Sequence, residues 1–124
     1  MKSVWVKGWK QLRDIEDQIM QQAQGTPLDE MPLVQIHILD ALYEEDGQHA
    51  SALAKAVERQ ATSFTPILDK LEKRGLICRA ADPNDRRAVF IFLTNDGKAL
   101  KVDVARVMDC LKAAYVFKPF AVKQ

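Results

Sequence analysis

Apolar residues return every three or four positions over most of this 124-residue chain, and only the region around residues 76–93 departs from that into compact apolar runs. From residue 3 to residue 24, Trp5, Trp9, Leu12, Ile19 and Ala23 make one stripe at helical spacing, which predicts a first helix. Glycine and then proline, in Gln24-Gly25-Thr26-Pro27, stop it. Glu16 falls inside the stripe. A dry, unpaired carboxylate is costly, so it is expected at a rim or beside a basic partner. A second helix is predicted to start between Glu30 and Pro32 and to end near Asp46-Gly47. Met31, Val34, Ile38, Leu39, Ala41 and Leu42 spread over so broad a face that this helix should be largely buried, with His37 on its polar side beside Asp40 and Glu44.

Gln48-His49 can form a short strand. Ser51 suits the cap of a short helix over 52–58, whose Leu53, Ala54 and Val57 point inward. After a turn at Arg59-Gln60, a helix from residue 62 or 63 to 74 buries Phe64, Ile67, Leu68 and Leu71, and Gly75 ends it. Pro66 is tolerable only in a first turn, which puts the start near Ser63. Projected at about 100° per residue, Thr62, Thr65, Pro66, Asp69 and Lys73 face away from the core, flanked by Ser63 and Lys70. Residues 76–79 and 89–93 read as two antiparallel strands around the turn formers Asp82-Pro83-Asn84-Asp85, with Arg86-Arg87 following. Thr94 caps a last helix over about 95–114. In it Leu100, Val104, Val107 and Leu111 recur at alternating spacings of four and three, beside Met108 and Tyr115. That seam could pack on the first helix of its own chain, on a partner chain, or on both. The closing VFKPFAVKQ is apolar but broken by Pro119. It is expected to dock on a dimer interface, because exposed Phe117 and Phe120 are a liability.

The order is therefore helix, turn, helix, hairpin. It predicts a mainly α fold, a winged helix-turn-helix with a two-stranded β wing and N- and C-terminal dimerisation helices. One domain is expected over 1–124, with residues 3–24 and 94–124 dimerising and 30–93 forming the winged unit. Charge supports a phosphate-facing side. The net charge is only +1, yet residues 1–47 carry 4 basic and 9 acidic side chains, while 48–93 carry 8 and 5 and 94–124 carry 6 and 3. Small hydroxyls and free backbone N–H groups on the 62–74 helix suit phosphates and base edges in a major groove. Paired arginines at a hairpin tip suit a minor groove. Ser51, Thr62, Ser63, Thr65, Pro66, Lys70, Lys73, Arg86 and Arg87 are the candidate DNA contacts.

Other chemistry is thin. Cys78 and Cys110 show no metal-ligand spacing and read as two small core residues. No nucleophile–base pair, metal cluster or phosphate loop points to an enzyme, and no cofactor is implied. No apolar run reaches the roughly 18 residues that span a bilayer, and the N-terminus lacks the apolar stretch of a signal peptide, so a cytoplasmic location is expected.

The run LDKLEKRGLICRAADPNDRRAVFIFLTNDGKAL closely resembles the signature of the MarR family of transcriptional regulators. The matching parts are Leu71-Glu72-Lys73-Arg74-Gly75-Leu76-Ile77, Asp85 with Arg87, and Leu93-Thr94 with Gly97. The resemblance implies a homodimer on a palindromic operator, with the helix from near Thr62 in the major groove and the wing over 80–88 in the minor groove. It also implies that Asp85 braces an arginine. Members respond to small aromatic anions bound between the dimerisation helices and the DNA-binding part, or to peroxide through a first-helix cysteine that this chain lacks. Pro66 stands where the family often has a polar or basic residue, and the C-terminus is short. The expected function is a dimeric DNA-binding regulator of repressor type, released by a small aromatic ligand for which Trp5, Trp9 and His37 are the candidate contacts. The alternative is a winged-helix module that binds another protein and reads no DNA.

Overall fold

The second helix is the one the others pack around. In a computed structural model, which describes residues 3–59 and 61–116, with the backbone alone for 3–7, 61, 62 and 114–116, the order is α1 Ser3–Ala23, α2 Leu33–Glu44, β1 Gln48–His49, α3 Ala50–Ala56, α4 Ala61–Lys73, β2 Ile77–Asp82, β3 Asp85–Leu93, α5 Asn95–Ala99 and α6 Lys101–Val116. Ile36, Ile38, Leu39 and Leu42 of α2 are all at most 2% exposed. They share one core with Leu53 of α3, Leu71 of α4, Ile77 and Ile91 of the sheet, and Val104 and Val107 of α6. Each such side chain contributes about 1.5–3 kcal/mol by leaving water. The apolar seam of the last helix packs within the chain, on α1 and α2.

The sheet is three-stranded and antiparallel in the order β1-β3-β2, so Gln48-His49 does pair, opposite Ile91 and Phe90. Alternation splits its faces. Ile77, Ile91 and Leu93 point into the core, whereas Cys78 and its cross-strand partner Phe92 face out. That corrects the expectation of two core cysteines: Cys78 is exposed, and only Cys110 packs half-buried against the core.

Three further expectations change. The α1 stripe is rotated and shortened: residues 8–14 are all exposed, including Trp9 and Leu12, and inward packing begins at Ile15 and continues through Ile19 and Ala23. A helix of this length runs about 30 Å, and its neighbours leave residues 8–14 uncovered. Glu16 lies exposed at the edge of that packing. Ser51 is the second residue of α3, not its cap; the cap position belongs to His49, which β1 delivers directly into the helix. The last helix is two, with Leu100 between α5 and α6 at φ −88°, ψ 3°. The expectations for the side chains of Trp5, Thr62 and Tyr115 and for residues 117–124 lie outside what is described.

Strand end, wing base and α5 are tied in one place. Thr94 donates its N–H to the Leu76 carbonyl at 3.1 Å and its hydroxyl to the Gly75 carbonyl at 2.6 Å, and accepts from the Gly97 N–H at 3.0 Å. Tyr43 of α2 donates its hydroxyl to the Gly97 carbonyl at 2.5 Å. Burial, with Asp40 and Asp103 nearby, pushes this phenol from 10.0 up to about 12. The unfolded chain ionises it near pH 10 and the folded chain near pH 12. Its contribution to stability is therefore complete below pH 10 and declines as pH rises from 10 to 12. In an ultraviolet phenolate titration, Tyr43→Phe should remove a step that the parent shows only near pH 12; loss of a step near 10 instead would contradict the burial.

Candidate nucleic-acid interface

Helix α3 ends at Ala56 and α4 begins at Ala61. Glu58 takes the left-handed conformation (φ 55°) that closes α3, with Glu58 N–H on the Lys55 carbonyl and Arg59 N–H on the Ala54 carbonyl. Gly75 (φ 78°) closes α4 in the same way, and here glycine adopts the angle without strain. The start of α4 differs from expectation. It begins at Ala61, which puts Pro66 in the second turn rather than the first. The ring supplies no N–H for the carbonyl of residue 62, so one intrahelical bond is missing. The helix persists because Phe64, Leu68 and Leu71 anchor its inner face.

Ser63, Thr65, Pro66, Asp69, Lys70 and Lys73 are exposed on the other side of α4. Ser51 is exposed on α3. The hairpin turns through Pro83-Asn84, and Arg86 and Arg87 stand exposed in the first residues of β3, inside a strand that begins earlier than the expected residue 89. Neither guanidinium has an ion-pair partner among the described residues. Asp85 accepts the Arg87 backbone N–H at 3.0 Å, so it braces the turn and no arginine side chain.

Three residues that sequence reasoning passed over organise this side. Arg79 of β2 reaches α4 and pairs with Asp69 at 2.8 Å and Glu72 at 2.9 Å. It thereby joins wing to helix and offsets one of the two negative charges on that part of α4. Such pairs add little stability singly; their effect here is on the field. His49 stacks on Phe90 with ring centroids 4.3 Å apart, and its Nε2 lies 2.9 Å from Asp82 Oδ2. Asp82 also accepts the Asn84 N–H at 2.8 Å. The His49 bond, then the Asn84 N–H, holds the Asp82 carboxyl below its ordinary value. The available signal was parity: Arg79 shares the inward register of Ile77, opposite an acid pair three residues apart on α4.

Of the expected ligand contacts, the two whose side chains are described lie on different helices, Trp9 on α1 and His37 on α2. Trp9 is 69% exposed, and His37 lies half-buried on the side of α2 that carries Asp40. A cavity of about 360 Å³ between α1 and α2 is lined by neither. Among the described residues no helix is long and apolar enough to cross a membrane, and no acid, histidine or cysteine group could hold a metal.

A short helix pair followed by a hairpin, with basic side chains exposed on both, defines a winged helix-turn-helix protein. Residues 31–89, just under half of the chain, match the model of the MarR family. It is 37% identical over 82 residues to the HTH-type transcriptional regulator TtmR of Methylorubrum extorquens (strain PA1), covering 66% of this chain but 40% of that protein. The chain thus spans less than half the length of this relative. Among solved structures, the transcriptional repressor CouR bound to a 23-mer DNA duplex aligns with TM-score 0.62 at 28% identity, over 87% of this chain and 71% of that one. Reduced AbfR bound to DNA aligns with TM-score 0.71 at 21% identity, over 97% and 88%.

Proposed function

We propose that this chain is a homodimeric, sequence-specific DNA-binding transcription regulator of repressor type, acting in the cytoplasm as one domain. Helix α4 enters the major groove, where Ser63, Thr65, Lys70 and Lys73 meet phosphates and base edges, with Thr62 and Ser51 at its edge. The β2–β3 hairpin carries Arg86 and Arg87 into the adjoining minor groove. The observation that carries this reading is the balance of charge on that side. Lys70 and Lys73 of α4 and Arg86 and Arg87 of the hairpin are exposed, while Arg79 pairs with both Asp69 and Glu72 and offsets part of their charge. The related DNA-bound repressor structure supports the same use of the fold. Exposed Trp9 and Leu12 on α1 support pairing of two copies through the terminal helices. Two reading helices would then address half-sites about 34–36 Å apart. Release follows when a small aromatic ligand favours the wrong spacing of the two units.

The direct test is a gel-shift titration on the promoter beside the chain's own gene, at rising salt, with the mass of the free protein measured by sedimentation. A dimer that shifts a discrete palindromic site, with affinity falling steeply as salt rises, is expected. A dimer that binds this DNA no better than random duplex overturns the reading.

A further inference from the structure

The cavity between α1 and α2 has a charge opposite to that needed for an anionic effector. It lies among the C-terminal half of α1, the connection to α2 and the first turn of α2. Its volume of about 360 Å³ is that of a small-molecule site. Four carboxylates line it, Glu16 and Asp17 from α1 and Asp29 and Glu30 from the connection, and no Lys, Arg or His does. None of the four has an ion-pair partner among the described residues. The floor is apolar, with Leu28 and Ile36 almost wholly buried, and the exposed Met20 and Leu33 stand as walls.

We propose that this cavity binds a lipophilic organic cation, an aromatic body carrying a quaternary or protonated amine. An aromatic body leaves water against the Leu28 and Ile36 floor and the adaptable Met20. Its positive charge is attracted by four carboxylates distributed around the rim, with no basic side chain in the lining to compete. A metal ion is a poor fit, because no three acids, histidines or cysteines among the described residues come together as ligands. An aromatic anion is repelled by all four carboxylates. Any effect of the cation on DNA rests on the regulator reading above. The binding itself is measured without DNA, so the two fail separately.

Calorimetric titration of the full chain with three probes sharing one ring system tests this. The probes are 2-naphthylmethyl-trimethylammonium, 2-naphthylmethanol and 2-naphthoate. The cation should bind about tenfold more tightly than the alcohol, and the naphthoate should not bind. Combined Glu16→Gln and Asp17→Asn should weaken the cation by about tenfold and leave the alcohol unchanged. Both positions are exposed, and an unchanged melting temperature would confirm that the fold is intact. The proposal is overturned if the alcohol or the naphthoate binds as tightly as the cation, if the double variant binds the cation like the parent, or if no probe binds.

Discussion

Replacing Arg86 and Arg87 together by alanine lowers affinity for operator DNA by on the order of a hundredfold, about 3 kcal/mol, and leaves thermal stability unchanged. Both guanidiniums are exposed, and neither is held by an acid among the described residues, so the folded chain loses no contact with them. The backbone bond that shapes the turn runs from the Arg87 N–H to Asp85 and survives the change. Salt should identify the cause: the slope of log affinity against log salt flattens by nearly one for each arginine that had displaced a counterion. Gel shifts at several salt concentrations with the double variant measure both quantities. Undiminished affinity would remove the wing from the mechanism. A chain that functions normally with both arginines gone would favour the protein-interaction alternative.

Gly97→Ala destabilises the fold by roughly 3 kcal/mol, a fall in melting temperature of roughly 10 °C. A Cβ at residue 97 would lie 2.2 Å from the Leu76 carbonyl oxygen and 3.3 Å from a Leu93 methyl carbon. The oxygen is backbone, so relief requires moving the wing base itself. That oxygen accepts the Thr94 N–H, and Gly97 in turn accepts the Tyr43 hydroxyl and donates to Thr94, so one displacement disturbs several bonds. Gly8→Ala is the control of opposite sign. Nothing lies within 4 Å of its added Cβ, and alanine in an exposed helix interior should stabilise by about 1 kcal/mol. Thermal or denaturant melts of the two variants decide the matter; equal effects would mean that the close approach at Gly97 is wrong.

Much of the architecture was legible because it depends on local periodicity. Phe64, Leu68 and Leu71 are buried as their spacing predicts, and Thr94 caps the helix that follows it. Pro66 shows the limit. Intrinsic propensity places it in a first turn, yet packing of the inner face holds α4 through it. Burial of Trp9 was misread for a related reason: helical spacing reports which residues share a face, not whether a neighbour reaches that half of the helix.

The candidate interface divides the same way. Residue type and order alone pointed to the exposed hydroxyl and lysine face of α4 and to the basic hairpin, since turn formers and paired arginines need no partner to be recognised. The ties among Arg79, Asp69 and Glu72, the His49–Asp82 contact and the acidic lining of the α1–α2 cavity join residues from different elements. By itself, then, the sequence determined the elements, their inner faces and the kind of surface presented to nucleic acid, because periodicity and side-chain chemistry are local. Only the tertiary structure decided which charges cancel, which glycine has no room for a Cβ and what charge a ligand in the cavity would need. Those depend on distances between segments that lie far apart along the chain.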